Sequence, residues 1–343
     1  MAIITDRSRV KEIYRQAYER KWVIPCFCSE NLTTSEAVLS AAQEFAVHHG
    51  LARVPVTLAI TVQYDHRFQS RYYTHTRRWD TGLRLFRADA DILADPDGPF
   101  PNVDVLLHLD HVQYDSDAEL LTRDLPELTS FLSDFSSIMY DASTLPLEEN
   151  IKRTAEFVER TSGTIMTEGA CDEIFDAVGD IRNALTTPEK AKKYYTETGV
   201  DWIVANLGTE HRASGQVLHY YNDVAQEIKR QIGSCIVLHG LSSVSPDQVT
   251  NLFHDGICKV NIWTMLERDS SPVLLREMIQ NAVKVGGTDM VNSLIREDFL
   301  SKKSRTNEKA AISHFTTVWR QDIIFTEMKK IVRKFLDMFY IMK

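Results

Sequence analysis

Eight short apolar runs, rich in β-branched and aromatic residues and separated by stretches of helical period, punctuate the chain from about residue 22 to residue 286. They are WVIPCF (22–27), PVTLAIT (55–61), VDVLLHLD (103–110), SIMYDAS (137–143), TIMTEG (164–169), WIVANLG (202–208), CIVLHG (235–240) and CKVNIWT (258–264). Runs this continuous suit strands covered on both faces, as in a parallel sheet with helices packed on each side. The segments between them carry helix start signals: Thr34 before SEAVLSAAQEFAV, Pro188 opening PEKAKKYYTET, and Ser245-Pro246-Asp247 before QVTNLF. Eight strands alternating with eight crossovers predict an α/β fold, a TIM (β/α)8 barrel. A doubly wound open sheet is the alternative. Its usual glycine-rich turn after the first strand is missing, because Pro25-Cys26-Phe27-Cys28 leads directly into Ser29-Glu30-Asn31.

Two regions exceed a minimal barrel. The first, an insertion after strand 2 at about 63–102, interleaves Arg67, Arg71, Arg77, Arg78, Arg84 and Arg87 with aromatic residues. A solvated face is the plain reading of such a run. The second is the tail, whose residues Ile324, Met328, Ile331, Phe335 and Phe339 recur at helical spacing and predict a helix packed on the barrel or on a second subunit. The predicted organisation is a barrel over 1–287 and a C-terminal helical extension over 288–343. Lys and Arg number 39 against 48 Asp and Glu, a formal charge of −9, which argues against nucleic acid as the main partner. The start MAIITDRSRVKEIY has no apolar signal core, and no stretch approaches the roughly 18 apolar residues of a membrane span, so no membrane partner is expected. Five cysteines without a CxxC pair suit a reduced, cytoplasmic chain.

In a TIM barrel, chemistry is built where the strands end. Those ends carry Cys28, Ser29, Thr61, Asp110, His111, Asp141, Glu168, His211, His239, Asn261 and Thr264. Three are histidines arriving on the third, sixth and seventh strands, and three imidazoles with an open position can form a catalytic metal site. Any single one of the chain's 11 histidines is more often structural or exposed than a ligand. His108 shares the inward face of Asp110 two residues deeper, which favours packing over ligation.

At these residues the sequence resembles a family. VDVLLHLDHVQYD resembles the LHLDH strand of the class II, metal-dependent fructose- or tagatose-bisphosphate aldolases. SSIMYDASTLPLEENI, TIMTEGA, NLGTEHRASG, VLHGLSSV and KVNIWT follow in that family's order, and IPCFCSENLTTSEAVLSAA resembles its first strand and helix, so the likeness spans roughly residues 8–286. The resemblance implies His111, His211 and His239 as ligands of Zn2+ or another divalent metal. It implies Asp110 as the acid/base for the proton on the aldehyde-derived oxygen, and Glu168 as an auxiliary carboxylate near the metal. Thr61, Gly208, Arg212, Gly240, Ser242, Asn261 and Thr264 become candidates for holding the substrate, and Lys259 is read as structural. Retro-aldol cleavage leaves an enediolate, and a divalent ion supplies positive charge where that negative charge develops. The family also implies a homo-oligomer.

The chain departs from the family pattern where phosphate is bound. Arg212 stands where a glycine is expected, HGGSG has become His239-Gly240-Leu241-Ser242-Ser243, Trp263 replaces an Asp or Ala, and Cys28 replaces an asparagine. The family's glycine-rich lid is absent, with Asp172 and Glu173 as candidates for its acid. These differences point to a small, anionic sugar substrate other than the ordinary ketose bisphosphate, with Arg212 and an arginine of the insertion holding an anion. A non-catalytic scaffold and another metal-dependent barrel enzyme, such as an isomerase, remain the alternatives.

Overall fold

In the computed structural model, which describes residues 3–161, 163–174, 185–210, 218–304 and 308–340, all eight apolar runs become strands. They are β1 (Ile24–Cys28), β2 (Val54–Thr61), β3 (Val103–Gln113), β4 (Ser137–Asp141), β5 (Met166–Ala170), β6 (Trp202–Val204), β7 (Ile236–Leu238) and β8 (Ile257–Ile262). Every pairing is parallel, neighbours follow sequence order, and β8 returns to β1 with Asn261 opposite Cys26. This is a closed TIM barrel. β6 and β7 stop sooner than the apolar runs do, so Asn206 and His239 lie just past strand ends, on the face where barrel sites form.

Local chemistry sets the helix starts. The helix Leu32–His48 begins two residues before the expected Thr34, because Asn31 caps it and its side chain accepts the backbone N–H groups of Thr33 and Thr34. Pro188 opens its helix behind the cap Thr187, and Ser245 forms a capping box with Gln248. Within 63–102, Trp79–Leu93 is the crossover helix that joins β2 to β3. The additional material is the loop before it, which includes the short helix Gln69–Tyr72.

The tail completes the outer ring. Its last helix, Thr317–Phe339, lies against the helices Leu32–His48 and Thr264–Gln280. It buries Met328, Val332, Phe335, Leu336 and Phe339 in the main core, with Ile324 and Ile331 partly buried against it. At roughly 1.5–3 kcal/mol for each large apolar side chain buried, this docking is a substantial part of the fold's stability. Tyr340 then stacks on Trp22 at 4.4 Å, and its hydroxyl donates to the carbonyl of Pro55. The barrel itself therefore covers the apolar stripe that the sequence offered as a reason to expect a second subunit. Among the described residues, no helix is long and apolar enough to cross a membrane.

Candidate active site

Asp110 and His111 are adjacent on β3, and an unbroken strand would send them to opposite faces. The strand is not unbroken. Its register against β4 shifts between Leu109 and Val112, and His111 adopts φ 45°, the left-handed region that a bulky residue rarely enters. This irregularity brings both side chains to one buried cluster, in which Asp110, His111 and His239 offer ligand atoms that all lie within 4.8 Å of one another.

Each of these histidines has one nitrogen committed to a carboxylate. His111 Nδ1 lies 2.9 Å from Asp141 Oδ2, and His239 Nε2 lies 3.2 Å from Glu168 Oε1. A carboxylate accepts, so those nitrogens carry the protons. Burial opposes charge on His111, but Asp110 and Asp141 outweigh it and hold the imidazole above its ordinary range. The carboxylates beside His111 thus favour positive charge there, whereas burial holds His239 below its ordinary range. Imidazole nitrogens anchored by carboxylates, beside a further carboxylate, suit a divalent cation such as zinc.

Beneath the cluster lies a fully buried charged layer. Lys259 Nζ is 2.5 Å from Glu168 Oε2 and 3.1 Å from His108 Nε2. Because an ammonium can only donate, His108 Nε2 accepts and its Nδ1–H donates to Ser137 Oγ at 2.8 Å. Burial and Lys259 push His108 down to about 3, so it stays neutral. Burial would raise Glu168, yet Lys259 and the hydrogen bond from His239 bring it down to about 2. Lys259 therefore fixes Glu168, and Glu168 fixes the tautomer of His239.

Above the cluster, at the mouth, Asp110 is held on every side. Arg67 Nη2 donates to Oδ2 at 2.6 Å, Asn261 Nδ2 donates to Oδ1 at 2.9 Å, and the Cys28 thiol lies 3.5 Å from Oδ2. Burial opposes the charge, but His111 and Arg67 outweigh it, so Asp110 lies well below the carboxylate range and is ionised. The Arg67 guanidinium sits over the Trp263 ring at 4.9 Å, and Tyr64 stacks on His111 at 4.4 Å. A cleft opens here, lined by Asp110, Arg67, Ser242, Asn261, Trp263 and Thr264 among others. A second cleft, lined by His111, reaches Tyr64, Asp172 and Glu173.

A family model described as fructose-bisphosphate aldolase class-II matches residues 8–340. The chain belongs to the class II fructose-bisphosphate aldolase family. Solved structures agree on the fold. A fructose-bisphosphate aldolase (Fba) from Campylobacter jejuni superposes with a TM-score of 0.74 at 18% identity, covering 98% of this chain and 95% of that one. A protein described as a candidate fructose-1,6-biphosphate aldolase from Coccidioides immitis gives 0.65 at 20% identity over 97% and 96%. The YdjI aldolase from Escherichia coli K12 gives 0.63 at 17% identity over 96% of each chain.

Against the class II pattern, the structure brings Asp110, His111, Glu168, His239 and Asn261 together, and places Gly240, Ser242 and Thr264 on the first cleft. His211 and Arg212 lie outside the described residues. Gly240 needs its φ of 70° and leaves no room for a side chain, since a Cβ there would meet the Glu210 carbonyl at 2.7 Å. Gly208, at φ 85°, is likewise closed in by the Tyr221 ring. Ser242 Oγ is buried without a hydrogen-bond partner among the described residues. Thr61 departs from its expected substrate-holding role. Its hydroxyl is buried, donates to the Arg67 carbonyl and accepts the Gln69 N–H at 3.1 Å, so it shapes the loop that carries Arg67. Asp172 is occupied by Lys190 and by the Thr186 hydroxyl, whereas the exposed Glu173 carboxylate makes no ion pair among the described residues. Asp141, known from the sequence only as a strand-end residue, and Tyr64, which has no sequence signal, contact His111 directly because folding brings them there.

Proposed function

We propose that this protein is a metal-dependent aldehyde-lyase of the aldolase type, which cleaves or forms a C–C bond of a phosphorylated or otherwise anionic ketose. The observation that supports this best is the buried convergence of Asp110, His111 and His239, each imidazole fixed by its own carboxylate. His111, His239 and, by the family resemblance, His211 would hold the metal, with zinc the first candidate. When bound, a divalent ion supplies positive charge where the negative charge of the enediolate develops.

This chain's residues would manage the protons. In the cleavage direction Asp110 takes the proton of the hydroxyl that becomes the aldehyde oxygen. The C–C bond beside that carbon breaks, its electron pair passes to the ketone half, and the resulting enediolate is protonated on carbon. Glu173, on the second cleft and without an ion pair among the described residues, suits that protonation better than Asp172. Ser242 and Thr264, on the first cleft, suit an anionic end of the ketone half. Glu168 and Lys259 take no proton in this scheme and orient His239.

Retro-aldol rates on mono- and bisphosphorylated ketoses test the substrate reading. Metal-dependent cleavage of an anionic ketose other than fructose 1,6-bisphosphate is the expected result, and a clear preference for fructose 1,6-bisphosphate would contradict the altered specificity. The family resemblance also supports a homo-oligomer, which a monomer mass by light scattering would refute.

A further inference from the structure

Six arginines crowd residues 63–102, and one of them behaves unlike the rest. Arg77, Arg78 and Arg84 are exposed, and Arg87 spans the surface to Asp134. Arg67 instead turns into the barrel mouth, where its side chain is only 12% exposed and ion-pairs with the proposed acid/base, Asp110. Its Nε is buried and has no hydrogen-bond partner among the described residues. An unused buried donor on a cation is costly, and Arg67 lines the cleft that the substrate would enter.

The surroundings hold this arginine ready. Thr61 bonds its backbone carbonyl. The Gln69 side chain donates to Glu30 at 2.7 Å, and Trp263 Nε1 donates to the same Glu30 oxygen at 2.6 Å, which steadies the indole under the guanidinium. The pair with Asp110 also obstructs the chemistry. Arg67 and the Cys28 thiol both approach Oδ2, so a substrate hydroxyl that reaches this oxygen displaces one of them, whereas Oδ1 keeps a lone pair beside Asn261. If Arg67 leaves, Asn261 still orients Asp110. A neutral substrate that displaced Arg67 would strand a buried cation, whereas a substrate bringing its own anion would give the guanidinium a new partner.

We infer that Arg67 determines specificity by exchanging its ion pair with Asp110 for a carboxylate or phosphate on the aldehyde half of the substrate, one or two carbons from the reacting hydroxyl. The short reach follows from geometry, since Arg67 and the proton-transferring carboxylate are in direct contact. This inference rests on the aldolase reading.

The experiment measures kcat/KM for C–C bond formation between dihydroxyacetone phosphate and three short aldehydes: glycolaldehyde, glyoxylate and glycolaldehyde phosphate. A separate control follows exchange of the donor's C–H into D2O with no aldehyde present. The wild-type enzyme is expected to prefer an anionic aldehyde over glycolaldehyde by about 10–100-fold, with glyoxylate and glycolaldehyde phosphate distinguishing carboxylate from phosphate. Arg67→Met should bring that ratio near one, and Arg67→Lys should recover part of it, because a point charge replaces a planar fork. Arg67→Gln serves the same comparison where the Met variant does not fold. A ratio unchanged on losing the arginine, or a wild type without preference, overturns the inference while the aldolase reading stands. Absence of donor exchange in the metal-loaded wild type overturns the aldolase reading, and this inference with it.

Discussion

Lys259 with Glu168 and Arg67 with Asp110 are the same kind of ion pair at two depths of one barrel. The deep pair is fully buried, at 0% exposure on both sides, and each partner also meets a histidine. The mouth pair is 12% and 1% exposed, borders a cleft, and leaves one guanidinium N–H without a partner among the described residues. Depth thus separates two uses of one interaction. Where each charge is paired with the other and also meets a histidine, the charges fix tautomers and orientation. Where a donor is left over beside open space, the pair can be broken by a ligand.

The largest expected effect lies at the mouth. Asp110→Asn removes the proton acceptor and should lower kcat about 10²–10⁴-fold, about 3–5 kcal/mol of barrier, measured on the best ketose found. A loss of only a few-fold would remove Asp110 from its proposed role. The deep pair should respond in stability. Lys259→Met strands a buried carboxylate, and denaturant unfolding should show a loss of about 3–5 kcal/mol, much of it regained when Glu168→Leu is added. Equal cost in the single and double variants would mean that pairing is not what holds this layer. Because Glu168 sits at about 2, below its value of 4.5 when unperturbed, the stability it contributes is complete above about pH 4.5 and is lost as pH falls toward 2. The double variant should therefore have the shallower acid limb.

A smaller effect separates the two lid carboxylates. Glu173→Gln should slow protonation of the enediolate about 10–100-fold, read as donor C–H exchange, while Asp172→Asn should change that exchange little, because Asp172 is tied to Lys190 and Thr186. The reverse ranking would reassign the acid. The smallest effect concerns Glu267, which burial and neighbouring Glu30 raise to about 7. Its native form holds a proton that the unfolded chain has lost, so stability should decline as pH rises from about 4.5 to 7. Glu267→Gln should flatten thermal midpoints across that window, and an unchanged slope would show that Glu267 does not cause the decline.

How much of this the sequence displays depends on the length scale of the cause. Strand runs buried on both faces are legible because burial writes itself as continuous apolar residues, and all eight appear in the barrel. Asp110, His111 and His239 are legible through motif order, although the bulge that lets Asp110 and His111 face one cluster is not, since a register shift depends on the neighbouring strand. Arg67 cannot be told from the other five arginines by composition, because its distinction is a contact with Asp110, 43 positions away. Thr61 shows the same limit: its place at a strand end suggested ligand contact, and the fold spends its hydroxyl on the Arg67 backbone. The tail's helical stripe was readable, whereas its burial against the first and last crossover helices required the closed ring.

If this barrel holds a catalytic divalent ion, plasma mass spectrometry of the unsupplemented purified protein should find near-stoichiometric zinc or another divalent ion in the wild type, lost in His111→Ala and His239→Ala. A wild-type protein that is empty and also fails to take up added zinc would rule out a metal site at Asp110, His111 and His239.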